Sequence, residues 1–290
     1  MIFTTDNTEH AVHEADCLEH LRSMPDDSVD MVMTSPPYEN ARKYDMGFDL
    51  KGEEWVAWAV ERYLECVRVS RGLVAWVVEG RTSKFQWSST PALLMADLHR
   101  AGVKLRKPPV YARVGIPGSG GPDWLRNDYE FVVCASGGRL PWSDNTAMGH
   151  TPKFNPGGPP SHRLPNGRRC NMVHTKTMPD GTKKKQGYVV PKVANPGNVV
   201  KCHGGGGNMG SWLTHRNEAP FPEKLAEFFV RSFCPPGGTV LDIFSGSGTT
   251  GAVALTHGRN SILVDCRESQ CSLTIERLEE AAQKKIEDCA

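Results

Sequence analysis

The five residues Thr34-Ser35-Pro36-Pro37-Tyr38 offer a hydroxyl, a proline carbonyl and an aromatic ring side by side. The two prolines remove two backbone donors and exclude helix, so the chain leaves the mostly apolar residues 29–33 in an extended form. If those residues form a strand, the three groups lie at its carboxyl end, where ligands bind in open α/β sheets. A proline-rich surface turn has the same composition, so a functional interpretation depends on the rest of the chain.

Residues 240–251 (Val-Leu-Asp-Ile-Phe-Ser-Gly-Ser-Gly-Thr-Thr-Gly) have the pattern of a strand, a glycine-rich turn and a helix start. Gly246 and Gly248 let the backbone approach a ligand, and the following helix presents its amino end. Asp265 ends the next predicted strand, nineteen residues after Gly246, where a carboxylate can bind two ribose hydroxyls. A nicotinamide dehydrogenase shares this pattern. However, Asp242 would face the pyrophosphate of a dinucleotide, and it suits a cationic ligand such as S-adenosylmethionine better.

Together, residues 242–250 and 34–38 resemble the two signatures of amino-group DNA methyltransferases that use S-adenosylmethionine. The order of the parts resembles the β class, whose motifs are circularly permuted: catalytic motif first, recognition insertion next, cofactor motif last. Residues 14–38 are similar to the amino-terminal block of that family. Residues 216–222 resemble the segment that closes over the methionine end of the cofactor. The resemblance covers roughly residues 11–138 and 215–280.

The resemblance implies which residues form the site. The catalytic residues would be Ser35, Pro36, Pro37 and Tyr38. The cofactor would be bound by Asp16, Thr34, Asp242, Phe244, Ser245, Gly246, Ser247, Gly248, Thr249, Thr250 and Asp265. Asp242 would hold the amino acid portion of S-adenosylmethionine, Asp265 its ribose and Asp16 its adenine amine. A cap for a helix over residues 17–24 explains Asp16 equally well.

The implied reaction is direct methylation of an exocyclic amine. The Ser35 hydroxyl and the Pro36 carbonyl would accept the two N–H groups, and Tyr38 would stack on a base flipped out of the duplex. Cys234-Pro235 has the reverse order of the Pro-Cys nucleophile that cytosine-C5 enzymes use, so no covalent intermediate is expected. Serine at position 35 favours the N4 amine of cytosine in this family, and the N6 amine of adenine is the alternative.

The charge distribution indicates a polyanionic partner. Residues 139–217 contain 12 Lys/Arg and 2 Asp/Glu, a net +10, whereas the rest of the chain carries −9. The same residues include 12 Gly and 9 Pro, which predicts an irregular insertion with little core of its own. Its cations suit the phosphates of double-stranded DNA, although a solvated linker has a similar composition. The candidate DNA contacts are Arg163, Arg168, Arg169, Lys183, Lys184 and Lys185.

Alternating strands and helices predict a doubly wound, mostly parallel, seven-stranded Rossmann-like α/β sheet. The strand that precedes Asp242 should neighbour the strand that precedes Thr34. Three regions follow: a catalytic half (1–138), a target-recognition insertion (139–217) and a cofactor-binding half (218–290). The predicted strands are 11–16, 29–33, 73–78, 109–114, 129–135, 238–244 and 261–265. The predicted helices are 17–24, 53–70, 90–100, 222–234, 249–257 and 268–286.

The remaining features predict a cytoplasmic protein of a bacterial or phage-infected cell. Nine scattered cysteines favour reduced thiols over a disulfide framework, and no apolar run reaches the length of a membrane span. Cys170, His174, Cys202 and His203 fit no closed zinc pattern, so no metal is expected. A separate cognate endonuclease is a possible partner. A non-catalytic nucleic-acid-binding protein that retains an inactive site is the other alternative.

Overall fold

The computed structural model describes residues 1–5, 7–39, 47–115, 123–153, 161–171, 173–187 and 190–289. They divide into two compact units: Met1–Asp144 with Asn198–Ala290, and Asn145–Gly197. The second unit lies inside the predicted insertion 139–217, whose limits stay a prediction.

The strands and helices alternate as the sequence predicts. The strands are β1 Ile2–Thr4, β2 Glu9–Glu14, β3 Val29–Thr34, β4 Ser70–Val78, β5 Thr82–Ser83, β6 Gln86–Trp87, β7 Val110–Val114, β8 Tyr129–Ala135, β9 Ser161–Arg163, β10 Arg169–Asn171, β11 Val173–Thr177, β12 Lys183–Gly187, β13 Val199–His203, β14 Thr239–Asp242 and β15 Asn260–Asp265. The α-helices are α1 Cys17–Ser23, α2 Gly52–Val69, α3 Thr90–Arg100, α4 Glu223–Phe233, α5 Thr249–Thr256 and α6 Glu268–Cys289. Two 3₁₀ helices span Gly206–Met209 and Trp212–Arg216.

The first unit is built on one mixed sheet in the order β1-β2-β15-β14-β3-β4-β8-β7-β13. Strands β2, β15, β14, β3 and β4 run parallel, and β8 is antiparallel to both of its neighbours. The mostly parallel α/β class is confirmed, as is the pairing of β14 with β3. The predicted count of seven strands is wrong because the described residues already form a sheet of nine. The additional edge strands are β1, which pairs antiparallel with β2, and β13, which pairs parallel with β7.

The sheet is covered by helices on both faces, and the alternation of side chains along the central strands explains why. In β4, Val74, Trp76 and Val78 pack in one core cluster with residues of α2 and α3. Leu73, Ala75 and Val77 belong to a second cluster with residues of α4. A strand that is buried on both faces needs apolar residues at every position, which is the pattern of residues 73–78.

The second unit is more regular than predicted. It contains two antiparallel hairpins, β9–β10 and β11–β12. Its glycines and prolines lie mainly outside these strands, and the short polar strands lack the apolar alternation by which strands are recognised. The predicted irregular insertion therefore contains two short hairpins, whose regular structure is backbone pairing.

Two other features bear on the class of protein. The eight cysteines whose side chains are described are free thiols. Within the described ranges, no helix is both long and apolar enough to cross a bilayer.

Candidate active site

The turn Ser35–Tyr38 is fixed from two sides at the carboxyl end of β3. The Ser35 hydroxyl donates to the carbonyl of Val77 in β4 at 3.1 Å and lies 3.3 Å from the Tyr38 hydroxyl. On the other side, the indole Nε1 of Trp55 donates to the Pro37 carbonyl at 2.9 Å. Pro36 and Pro37 are buried, whereas Ser35 and Tyr38 are partly exposed. The extended Pro-Pro segment thus presents the serine and tyrosine side chains in a fixed position.

Asp242 joins this turn to the glycine-rich loop. One carboxylate oxygen accepts from the Thr34 hydroxyl at 2.5 Å and from the Phe244 amide at 3.1 Å, and the other accepts from the Thr250 hydroxyl at 2.6 Å. Burial raises the pKa of Asp242 to about 6, and these hydrogen bonds oppose the shift. Strand β14 ends at Asp242, two residues earlier than predicted. The Phe244 amide donates to the Asp242 side chain and not to a backbone carbonyl of a neighbouring strand.

The side chain of Asp242 is 1% exposed, and it does not line the cavity beside the loop. Its contact with a cofactor ammonium stays a prediction, and in this structure both oxygens accept hydrogen bonds from protein donors. Asp242 positions Thr34 and Thr250, which also lie behind the cavity wall.

The glycine-rich loop depends on positive φ angles and close packing. Gly246 has φ +50°, and a Cβ there would lie 2.5 Å from the Asn217 amide nitrogen. Gly248 has φ +75°, and its Cβ would lie 3.0 Å from the backbone of Thr274. The Gly246 amide donates to Asp265 at 3.1 Å. The loop, the segment around Asn217 and the end of β15 therefore form one compact wall.

Asp265 and Asp16 are two carboxylates at the edge of this wall. Asp265 is 8% exposed; burial raises its pKa, and Arg267, whose amide donates to it at 3.0 Å, opposes the shift. Asp16 is exposed and caps α1, accepting from the amides of Leu18 at 2.8 Å and Glu19 at 3.1 Å. The cap role of Asp16 is confirmed, and since both bonds use one oxygen, the residue can also face a ligand.

These elements enclose a cavity of about 210 Å³, here called the cofactor cavity. Aromatic rings form its apolar side. The centroid of the Trp58 ring lies 5.0 Å from that of Phe48 and 5.7 Å from that of Phe244. The predicted site residues that line it are Asp16, Ser35, Pro36, Pro37, Phe244, Ser245, Gly246, Ser247, Thr249 and Asp265. Gly248 does not line it and acts through the shape of the loop.

Sequence reasoning missed several lining residues, among them Phe48, Trp58, Asn217, Phe221 and Arg267. The family resemblance of residues 216–222 places Asn217 and Phe221 near the cofactor without naming either residue. Trp58 falls in an amphipathic helix, where an aromatic residue is first assigned to the core.

A second cavity of about 220 Å³ lies on the other side of Ser35 and is here called the base cavity. Ser35 and the segment 219–221 line both cavities. In the base cavity, the Tyr38 hydroxyl donates to Glu130 at 2.8 Å, and Arg113 Nη1 lies 3.3 Å from the same carboxylate. The buried Nε of Arg113 has no hydrogen-bond partner within the described part of the chain. Arg113 and Glu130 carry no motif, so only strand pairing brings them to Ser35.

The predicted DNA contacts lie in the second unit. Arg163 and Arg169 face each other across the β9–β10 ladder, Arg168 precedes β10, and residues 183–185 lie in β12. The side chains of the three arginines and of Lys183 and Lys184 are exposed. Among the described residues, no three His, Cys, Asp or Glu side chains are grouped to hold a metal.

Comparison with known proteins defines the class. The model of the N6/N4 methyltransferase family, described as DNA methylase, matches residues 29–276. This chain therefore belongs to that family of DNA methyltransferases, and the nicotinamide dehydrogenase alternative is wrong.

Particular relatives agree with the family. The chain is 24% identical to the type II methyltransferase M.ScaI of Streptomyces caespitosus, over 96% of this chain and 84% of the relative. Its fold is similar to the PvuII DNA methyltransferase (cytosine-N4-specific), with a TM-score of 0.67, 20% identity and coverage of 97% and 92% of the two chains. It is also similar to a DNA modification methylase from Thermus thermophilus complexed with S-adenosyl-L-methionine, with a TM-score of 0.59, 21% identity and coverage of 94% of each chain.

The buried carboxylate predicts a pH dependence of stability. The pKa of Asp242 is about 6 in the folded protein and near the ordinary 3.8 when unfolded, so the folded state binds this proton more tightly. Its contribution to stability is present below pH 3.8 and is lost as the pH rises through 6. Relative to Asp242→Asn, the wild-type free energy of unfolding should fall by roughly 2–3 kcal/mol across this window.

Urea unfolding at several pH values measures this difference. Asp123→Asn, which removes an exposed carboxylate, is the control and should follow the wild-type profile. Parallel profiles for wild type and Asp242→Asn would contradict the assignment.

Proposed function

We propose that this DNA methyltransferase transfers a methyl group from S-adenosylmethionine to the N4 amine of a cytosine flipped out of duplex DNA. The observation that carries the proposal is the position of Ser35 on the wall shared by the cofactor cavity and the base cavity. A methyl donor on one side of that residue and an amine on the other would meet at its hydroxyl. Direct transfer requires this alignment.

The residues of the cofactor cavity fit S-adenosylmethionine. Phe48, Trp58 and Phe244 supply apolar aromatic walls for the adenine, and Asp265 at the end of β15 can accept from the ribose hydroxyls. Carboxylates at Asp16 and Asp265, with Asp242 behind the wall, favour a cationic ligand over a pyrophosphate. When bound, the cofactor supplies an electrophilic methyl on a sulfonium. The Asn217 side chain beside Gly246 is placed to contact its polar end.

The direction of the Ser35 hydrogen bond prepares the site to activate an amine. An exocyclic amine is a weak nucleophile because its lone pair is delocalised into the ring. The one hydrogen of the Ser35 hydroxyl is directed to the Val77 carbonyl or to the Tyr38 hydroxyl, so the oxygen presents only lone pairs to the amine and accepts from it. No described residue donates to the Pro36 carbonyl, which can accept the second N–H.

As the amine nitrogen bonds the methyl carbon, the carbon–sulfur bond breaks, and the nitrogen then loses one proton. Glu130 lines the base cavity, where Tyr38 donates to it and Arg113 lies beside it, and we assign its carboxylate the role of accepting that proton.

The base cavity favours cytosine over adenine. Beside its amine, cytosine presents two adjacent acceptors, N3 and O2, whereas adenine presents N1 and then a C–H group. Arg113 lines the base cavity, and its guanidinium N–H groups can donate to these two acceptors of cytosine. The family includes enzymes for both bases, so N6-adenine methylation is the second candidate.

Double-stranded DNA would be held by the cations of the two hairpins. Arg163, Arg168, Arg169, Lys183, Lys184 and Lys185 are the proposed phosphate contacts, and each one neutralised should reduce the salt dependence of binding. The cognate endonuclease stays a prediction.

Product analysis tests the function. The protein is incubated with labelled S-adenosylmethionine and unmethylated genomic DNA, and the DNA is digested to nucleosides for mass spectrometry. N4-methylcytosine is expected. N6-methyladenine as the only product would replace the base assignment, and an unlabelled digest would support the non-catalytic alternative. Single-molecule sequencing of the product gives the recognition sequence.

Gly246→Ala should weaken cofactor binding. A Cβ at this position meets Asn217 at 2.5 Å and must displace the wall of the cavity. We expect the Kd for S-adenosylmethionine to rise at least about tenfold in calorimetry.

The matched control is Gly258→Ala, which has the same left-handed backbone strain at φ +69° but no atom within 4 Å of its Cβ. Equal affinities in the two variants would argue against the assigned cavity.

Ser35→Ala should separate binding from chemistry. Removing the acceptor leaves the cofactor cavity formed, so the Kd for S-adenosylmethionine stays near the wild-type value. The rate of methyl transfer should fall about 10²–10³-fold, the usual loss for one preorganised polar contact in a transition state.

Single-turnover kinetics measures this rate, and Ser23→Ala, at an exposed serine that ends α1, is the control. Full activity of Ser35→Ala would remove the role assigned to the hydroxyl.

A further inference from the structure

The hairpin β5–β6 follows the carboxyl end of β4 and carries Phe85 at its tip. The Phe85 side chain is 81% exposed, the most exposed phenylalanine among the described residues. Lys84 and Phe85 form the two-residue turn, with φ +50° and +64°. Such turns favour glycine and asparagine, and a bulky residue at positive φ is unusual. The sequence thus places a large apolar ring at a position where packing and backbone preference both disfavour it.

The base of this hairpin is held at the catalytic turn. The Arg81 amide donates at 3.3 Å to Glu39, which directly follows Tyr38. The indole of Trp87 donates to Glu79 at 3.0 Å, and its ring lies 6.4 Å from that of Phe131, the neighbour of Glu130 in β8. The hairpin therefore emerges beside the base cavity and is anchored to the strands that form it.

Single exposed apolar side chains are common and by themselves indicate nothing. Here the ring is flanked by two exposed cations, Arg81 and Lys84, in the same hairpin. Cations that bind phosphates and an apolar ring that contacts bases suit a nucleic acid more than a protein partner. A base that leaves the duplex also leaves a gap in the stack, and inserted apolar side chains fill such gaps in protein–DNA complexes.

We propose that Phe85 enters the DNA duplex and occupies the space vacated by the flipped target base, while Arg81 and Lys84 contact the adjacent phosphates. This inference rests on the proposed methylation of a flipped base, but not on whether that base is cytosine or adenine. Phe85 acts as a positioning residue that stabilises the extrahelical state and takes no part in the transfer.

The test compares two duplexes that carry the recognition sequence found by sequencing. In one, the target base is paired; in the other, it lies opposite an abasic site, which lowers the cost of flipping. Phe85→Ala should lower kcat/KM on the paired duplex at least about tenfold and stay within about threefold of wild type on the abasic duplex. Phe85→Leu should retain most of the activity on both, because an apolar side chain still fills the gap.

Ile286→Ala, at an exposed apolar residue near the end of α6, is the control and should match wild type on both duplexes. An unchanged rate for Phe85→Ala on the paired duplex would overturn the proposal, as would an equal loss on both duplexes. Absence of methyl transfer by the wild-type protein would instead overturn the proposed function, so the two failures are distinguishable.

Discussion

The buried carboxylate of Asp242 is the interaction on which the geometry of the site depends. Strands β3 and β14 are paired over only two residue pairs, so the sheet ladder alone holds the two loops beyond them weakly. Asp242 extends that connection, because it accepts from Thr34 at the end of one strand and from Thr250 at the start of α5. Its burial disfavours the ionised form, and three donors compensate for that cost. Burying the carboxylate therefore lowers the stability of the fold, and it fixes the catalytic turn relative to the glycine-rich loop.

That fixed relation matters because two cavities meet at one side chain. Ser35 and the segment 219–221 line both the cofactor cavity and the base cavity. The attack of an amine nitrogen on a sulfonium methyl group needs an alignment accurate to a fraction of an ångström. Hydrogen bonds from both neighbouring elements hold the Ser35–Tyr38 turn, so little reorganisation remains for the reaction itself.

The order of the motifs along the chain has no effect on this arrangement. The catalytic turn precedes the glycine-rich loop by about two hundred residues, yet β3 and β14 are neighbours in the sheet. Parallel strands bring their carboxyl ends to one edge whatever their order in sequence. The residues between the motifs are consequently free to form a second unit, and its basic hairpins add the charge that the acidic first unit lacks.

The sequence by itself determined the features that depend on local chemistry and periodicity. Continuous apolar runs located β4 and β14, the Pro-Pro pair located the catalytic turn, and the glycines located the loop at positive φ. These signals are encoded within a few neighbouring residues. The two added strands were not recognised because β1 has only three residues, and β13 is short, half-exposed and followed by a run of glycines.

Only the tertiary structure decided which groups meet. It placed Asp242 in a buried connection whose three donors come from β3, α5 and its own loop. It also brought Arg113 and Glu130, on strands without any motif, to the far side of Ser35. Hydrogen bonds and cavities of this kind join residues more than two hundred positions apart, and no local pattern records them.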